Sequence, residues 1–229
     1  MNVKEVLREL ESLGTEQNRK VYSRHGVGDS QFGVSMANLE QLRKKIKQNH
    51  PLALELWSSA NHDARMLATK IADPLQMDER TIANWMNVLQ NYVLTDNFVD
   101  LLIQTPQARQ LAEQWLDVDN EWTCRSGWHL LVHLAMKDQQ LPNSYFEKYL
   151  DKIGKEIHQR KNRVREAMNN ALIAMGIRND DLEAKATAIA GQIGKVIVDH
   201  GDTSCKTPDA IPYIRKARLR QKVHQVKKG

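Results

Sequence analysis

Two carboxylates, Asp96 and Asp100, stand four residues apart. On a helix that spacing places them one turn apart on one face. There a carboxylate can stabilise a developing cation and orient a water, while its like-charged neighbour raises the cost of ionising both. Further along, Trp122 and Arg125 are three residues apart. An outward tryptophan is less common than a buried one, and the guanidinium beside it is a planar fork that binds two phosphate oxygens. His129, one turn beyond Arg125, reads as a polar surface group or a phosphate contact. A third set brings Arg163 and Arg165 together with Asn162, Glu166, Asn169 and Asn170. Arg125, Arg163 and Arg165 are where a cradle for a polyanion would have to be positive. A plainer reading also stands, in which Asp100 and Arg125 form an ion pair between neighbouring helical units.

The segment Asp199 to Pro208 gathers His200, Asp202 and Cys205 in one loop. A metal site there would lack finger-like spacing and a second half. A Cys205–His200 nucleophile would need a hydrogen bond that sequence proximity does not set. The segment is read as a loop turned back by Gly201 and Pro208, and neither a metal nor a cofactor is expected. The glycine-rich stretch Gly26–Gly33 lacks the lysine and the strand–helix setting of a phosphate loop, so it reads as a connector.

The elements that position these residues are helices. Apolar residues recur at i, i+3, i+4 and i+7 nearly everywhere. One stripe runs through Val3, Val6, Leu7 and Leu10, and another through Ile82, Trp85, Met86, Leu89 and Val93. Phe98, Leu101 and Leu102 form the next, opposite Asp96 and Asp100. Gly127, Leu130, Leu131 and Leu134 lie opposite Trp122, Arg125 and His129. Val164, Ala167, Met168, Ala171 and Leu172 lie opposite Asn162, Glu166 and Asn169, and a last stripe extends from Leu182 to Ile197. Val196-Ile197-Val198 closes that helical pattern and shows no strand alternation. Breaks are expected at Asn61-His62-Asp63, Pro74, Thr95-Asp96-Asn97, Pro106, Asp119-Asn120, Pro142 and Gly176. Trp57, Trp85, Trp115 and Trp128 fall on apolar stripes or their edges and are assigned to packing. The cadence predicts an all-α fold, an α–α superhelix (solenoid) of HEAT or armadillo-like repeats with a concave face.

Composition bounds the function. The chain has 229 residues, 41% hydrophobic and 27% charged, enough for a core and unlike a disordered chain. No apolar run reaches the roughly 18 residues of a membrane span, and residues 1–14 lack the apolar stretch of a signal peptide. Two distant cysteines, Cys124 and Cys205, fit a reducing cytoplasm and exclude a disulfide framework. The net charge of +5 is smaller than the seven cations that follow Asp209, so residues 1–214 carry a net −2. The expected division is a single repeat domain over 1–214, with the concave face for an extended partner, and a basic tail over 215–229. That tail either grips phosphate without sequence preference or is a frayed, solubilising end.

At the acidic and tryptophan–arginine segments a family resemblance emerges. Asp96-Asn97-Phe98-Val99-Asp100-Leu101-Leu102, followed by Asp119-Asn120-Glu121-Trp122-Thr123-Cys124-Arg125, resembles the active-site region of the DNA alkylation repair (AlkD-like) glycosylases. Phe32-Gly33-Val34 and the helix with Leu39, Leu42 and Ile46 are similar to the family's N-terminal entry. The likeness covers roughly residues 20 to 175. It implies HEAT-like helical repeats around duplex DNA and release of cationic purines alkylated at N3 or N7, without drawing the base into a protein pocket. On this resemblance Asp100 matches the catalytic aspartate, and Arg125 matches the arginine that holds the backbone beside the lesion.

The implied chemistry needs no metal. An alkylated purine is already cationic and leaves without a general acid, while the sugar gains positive charge that one carboxylate can stabilise. The family's tryptophans around that sugar match Asp96 and Asn170 here, which offer no aromatic face, and Trp122 is the aromatic that could fill the space. The expected function is therefore a glycosylase for alkylated purines, with a non-catalytic nucleic-acid-binding solenoid, or a protein-interaction scaffold suggested by the −2 body, as the alternatives. The expected partner is alkylated duplex DNA. Neither a membrane nor a small-molecule cofactor is expected, and the protein is expected to be a monomer.

Overall fold

In the computed structural model residues 1–226 are described, with side chains through Val223. Lys227 and Lys228, read as part of the basic tail, lie outside the described residues. Thirteen α-helices and two short 3-10 turns make up the described chain, with no strand among the described residues beyond one isolated bridge between Gly14 and Val34. The all-α expectation holds.

The chain divides into two compact units. The first comprises Met1–Ala108 with Gly201–Thr203, and the second Arg109–His200 with Ser204–Gly229. The first unit holds α1 (Val3–Leu13), α2 (Glu16–Arg24), α3 (Met36–Ile46), α4 (His50–Ser58), α5 (His62–Ile71), α6 (Glu79–Met86) and α7 (Tyr92–Leu102). Then come α8 (Ala108–Trp115), α9 (Glu121–Lys137), α10 (Asn143–Glu156), α11 (Asn162–Arg178), α12 (Asp180–Ile193) and α13 (Ala210–Val226).

Polar caps set most starts. Asn2, Thr15, Ser35, Asn49, Asn61, Asp78, Asn91, Asn120 and Asn179 each accept a hydrogen bond from a first-turn amide. Each such cap is worth about 1 kcal/mol. Packing then joins every second helix. In the first unit α5 contacts α3 and α7; in the second, α11 contacts α9 and α13, and α10 contacts α12. Rows of alternate helices are what stacked helical pairs produce, each pair burying one apolar stripe against the next.

The apolar stripes form the cores as expected. Trp57 and Trp85 stack at 4.0 Å with Phe98 tilted against both, and Trp128 packs edge-on to Tyr149. Trp57, Trp85 and Trp128 are buried, and Trp115 is half-buried.

Four local expectations are corrected. The break at Thr95-Asp96-Asn97 lies inside α7, because the helix is capped earlier by Asn91. Its polar residues are absorbed by back-bonding: Thr95 Oγ1 donates to the Asn91 carbonyl and Asn97 Nδ2 to the Val93 carbonyl. That earlier cap also splits the stripe from Ile82 to Val93 between α6 and α7. Gly176 does not end a helix but lies within α11, where a Cβ would come 2.7 Å from Ile214 and 2.9 Å from Ala186. Glycine is there for close approach. Finally, α12 ends at Ile193, with Gly194 at φ +65°, so Val196-Ile197-Val198 is non-helical.

Residues assigned to the tail from 215 onward continue α13 through Val226. Buried Ile214 anchors the helix, and Arg218 pairs with Asp180 and, at 3.0 Å, with Glu183 of α12.

Candidate nucleic-acid interface

Buried Phe98, Leu101 and Leu102 fix the rotation of α7, which leaves Asp100 exposed and Asp96 half-buried. Asp100 borders an open pocket of about 370 Å³ with walls from α3, α5 and α7. Arg43, Lys70, Gln48, Asn97 and Gln104 share that pocket. Two cations and three amides around a carboxylate make a polar recess suited to a phosphate-bearing partner rather than an apolar ligand. Arg43 is held by Glu40, its Nε and Nη2 donating over 2.7 to 3.0 Å. Those hydrogen bonds keep the Glu40 carboxyl below the usual range and raise the Arg43 guanidinium. At the pocket's edge the Asp100 carbonyl accepts from Gln104 Nε2 at 2.7 Å.

The other seven residues named from sequence, Trp122, Arg125, His129, Arg163, Arg165, Asn169 and Asn170, belong to the second unit, on α9 and α11. Helical spacing turns Arg125 away from the core, yet its side chain is only 2% exposed. The reason is that α11 covers this face of α9 and supplies a counter-charge. Arg125 Nη1 donates to Glu166 Oε2 at 2.7 Å and to the Arg163 carbonyl at 3.0 Å. Arg163 Nη1 donates to the same Glu166 oxygen at 3.2 Å, and the Arg163 amide donates to Glu121 Oε1 at 2.7 Å. His200 joins the group, its Nδ1 3.8 Å from Glu166 Oε1 and 3.5 Å from Arg163 Nη1. One carboxylate thus holds two arginines, and the arginine forks that the sequence offers to phosphate face a protein anion.

Asn169 is also turned inward. It is 1% exposed and donates from Nδ2 to the Pro208 carbonyl at 3.0 Å, tying the 199–208 loop to α11. His200 Nε2 lies 3.0 Å from Thr207 Oγ1, so the loop's histidine is engaged within its own segment. Among the described residues no group of three His, Cys, Asp or Glu is placed to hold a metal ion. Arg165 reaches Asn162 Oδ1 at 3.4 Å, and Trp122, His129, Arg165 and Asn170 are all half-buried. Cys124, two residues after Trp122, is buried, and its thiol is pushed up to about 11 by desolvation.

Sequence reasoning missed Glu166 as the partner of Arg125, although its i+3 spacing from Arg163 was a legible ion-pair signal. It also missed Arg43 and Lys70 beside Asp100, for which no local signal exists. Among the described residues no helix is long and apolar enough to cross a membrane.

Comparison with known proteins shows the family. A family model described as DNA alkylation repair enzyme matches residues 6–214. The uncharacterized protein Lin0241 of Listeria innocua is 32% identical over 218 residues, covering 93% of this chain and 95% of that one. The uncharacterized protein Lmo0209 of Listeria monocytogenes is 32% identical over 220 residues, covering 93% of this chain and 96% of its own. A solved structure matches with a TM-score of 0.88 and 32% identity over 96% of this chain and 95% of that one. It is described as a new family of proteins related to the HEAT-like repeat DNA glycosylases, with affinity for branched DNA structures. The helical rows in each unit are accordingly HEAT-like repeats, and the chain belongs to the DNA alkylation repair enzyme family.

Proposed function

We propose that this protein binds branched DNA through its HEAT-like repeats without releasing a base. The observation that carries this reading is the Arg125–Glu166 pair, with Arg125 2% exposed. To grip a phosphate beside a lesion, Arg125 would have to turn out of a nearly closed site and give up its bonds to Glu166 and the Arg163 carbonyl. The positions that match the family's sugar-facing tryptophans hold Asp96 and Asn170, so neither of them offers an aromatic face to a cationic sugar. The solved relative's affinity for branched DNA supplies the substrate class. The test is a gel-shift comparison of a four-way junction with a linear duplex of the same arm sequence, over a series of salt concentrations. Tighter binding to the junction, with log K falling linearly in log salt, is expected. Equal affinity for the two, or no binding to either, overturns the reading.

A second reading is favoured by Asp100 itself, an exposed carboxylate in a recess with Arg43 and Lys70. On this reading the monomer works on alkylated duplex, the cations hold backbone phosphates, and Asp100 stabilises the sugar cation as a 7-methylguanine or 3-methyladenine departs. Incubating globally methylated DNA with the protein decides it. Base release that is lost in Asp100→Asn establishes a glycosylase, and no release above the uncatalysed background rejects it.

A further inference from the structure

A small cavity of about 100 Å³ lies in the first unit, apart from the Asp100 recess. Its walls come from three segments: the Gly26–Gly33 connector, through Gly28 and Ser30; the start of α5, through His62 and Arg65; and the start of α7, through Gln90 and Asn91. Two helices therefore begin at it, their caps formed by Asn61 and Asn91. The positive ends of two helix dipoles converge on one space.

His62 gives the observation that calls for a ligand. Its side chain lines the cavity, the residue is 5% exposed, and its buried Nε2 has no hydrogen-bond partner. Leaving such a group unsatisfied costs about 1–3 kcal/mol. Burial lowers this imidazole to about 4, so near neutrality it is uncharged and one ring nitrogen carries a proton it can donate.

Arg65 adds a cation with spare donors. Its Nε donates to the Trp57 carbonyl at 3.2 Å and its guanidinium lies over the Trp57 ring, 5.4 Å from the centroid. Among the described residues no carboxylate pairs with it, and burial lowers its affinity for a proton. The neighbouring Asp63 does not line the cavity, and its carboxylate accepts from the Phe32, Gly33 and Val34 amides over 2.6 to 3.1 Å. A half-buried cation, a neutral imidazole and the positive ends of two helices make an electropositive hollow. Its space of about 100 Å³ is enough for a few waters or one tetrahedral oxyanion.

We propose that this cavity is a phosphate site, formed by His62, Arg65 and the starts of α5 and α7, that takes one backbone phosphate of bound DNA. The DNA part rests on the branched-DNA reading; the oxyanion chemistry does not.

Two arms test it on the full chain. In the first, inorganic phosphate is titrated into the wild-type protein while the His62 ring nitrogens are followed by NMR, against chloride at equal ionic strength. A saturable shift with phosphate alone is expected. No shift, or the same shift with chloride, means that only water fills the cavity and overturns the site. In the second arm, junction binding is measured against salt for Arg65→Gln and Arg65→Lys. One lost phosphate contact should reduce the log–log salt slope by about one in Arg65→Gln, while Arg65→Lys keeps it. A phosphate shift with an unchanged Arg65→Gln slope overturns the DNA assignment and leaves free phosphate as the occupant. Wild-type protein that binds phosphate but no junction overturns the branched-DNA reading while the site stands.

Discussion

At the scale of single residues, Arg125 and Glu166 decide between functions. The two charges are held at 2.7 Å with side chains 2% and 16% exposed, and Arg163 shares the same Glu166 oxygen. Removing one partner is expected to cost far more than removing both. Glu166→Gln should therefore lower stability by about 3 kcal/mol in urea unfolding, since it removes the charge that Arg125 and Arg163 share. The double variant Arg125→Met with Glu166→Gln should recover most of that loss. On the branched-DNA reading its junction affinity stays within about twofold of wild type, since Arg125 contributes structure and not a phosphate contact. A folded, stable double variant that has lost junction binding would show that Arg125 does reach DNA. Sequence spacing alone placed Arg125 correctly on the face opposite Gly127 and Leu130, but it treated that face as solvent. A second helix, α11, lies on it, and only tertiary packing reveals that a polar face has acquired a polar neighbour.

At the scale of elements, the legible parts are those written locally. Asn61 and Asn120 announce helix starts because an amide oxygen three residues before a free N–H is a local geometry, and both cap as expected. The stripes of α9 and α11 are legible for the same reason, since period 3.6 is a property of one helix. The misread breaks are those where a local signal is overruled from a distance. Thr95 and Asn97 look like turn residues, yet both spend their polar groups on the preceding carbonyls of α7, and the true cap is Asn91. Gly176 looks like a terminator, yet Ile214 of α13 and Ala186 of α12 press on it from sequence positions no window contains. The candidate sites divide the same way. Asp100 is found from its own helix, whereas the recess around it needs Arg43 from α3 and Lys70 from α5. The Gly26–Gly33 segment is a connector by its own sequence, and becomes one wall of a cavity only when α5 and α7 are brought beside it.

At the scale of the whole molecule the question is where a chain whose first 214 residues carry a net −2 finds attraction for a polyanion. The described part of α13 divides its cations by job. Arg218 is half-buried and docks on Asp180 and Glu183, and Lys222 reaches Asp180 at 3.2 Å, so these two neutralise the acidic start of α12. Arg215, Lys216 and Arg220 are exposed. Deleting residues from 215 onward would remove both groups at once and confound folding with binding. Substitution separates them. Arg215→Gln, Lys216→Gln and Arg220→Gln together should leave the melting temperature within a degree or two, because exposed cations contribute little to stability. If these cations meet backbone phosphates, the log–log salt slope for the junction should fall by up to about three, at roughly 0.9 per phosphate released. Arg218→Gln should do the reverse, lowering the melting temperature by several degrees through the loss of its α12 contacts while leaving the slope nearly unchanged. A triple variant with the wild-type slope would assign the exposed cations of α13 to solvation alone, and Lys70 and Arg65 of the first unit would be the next cations to substitute.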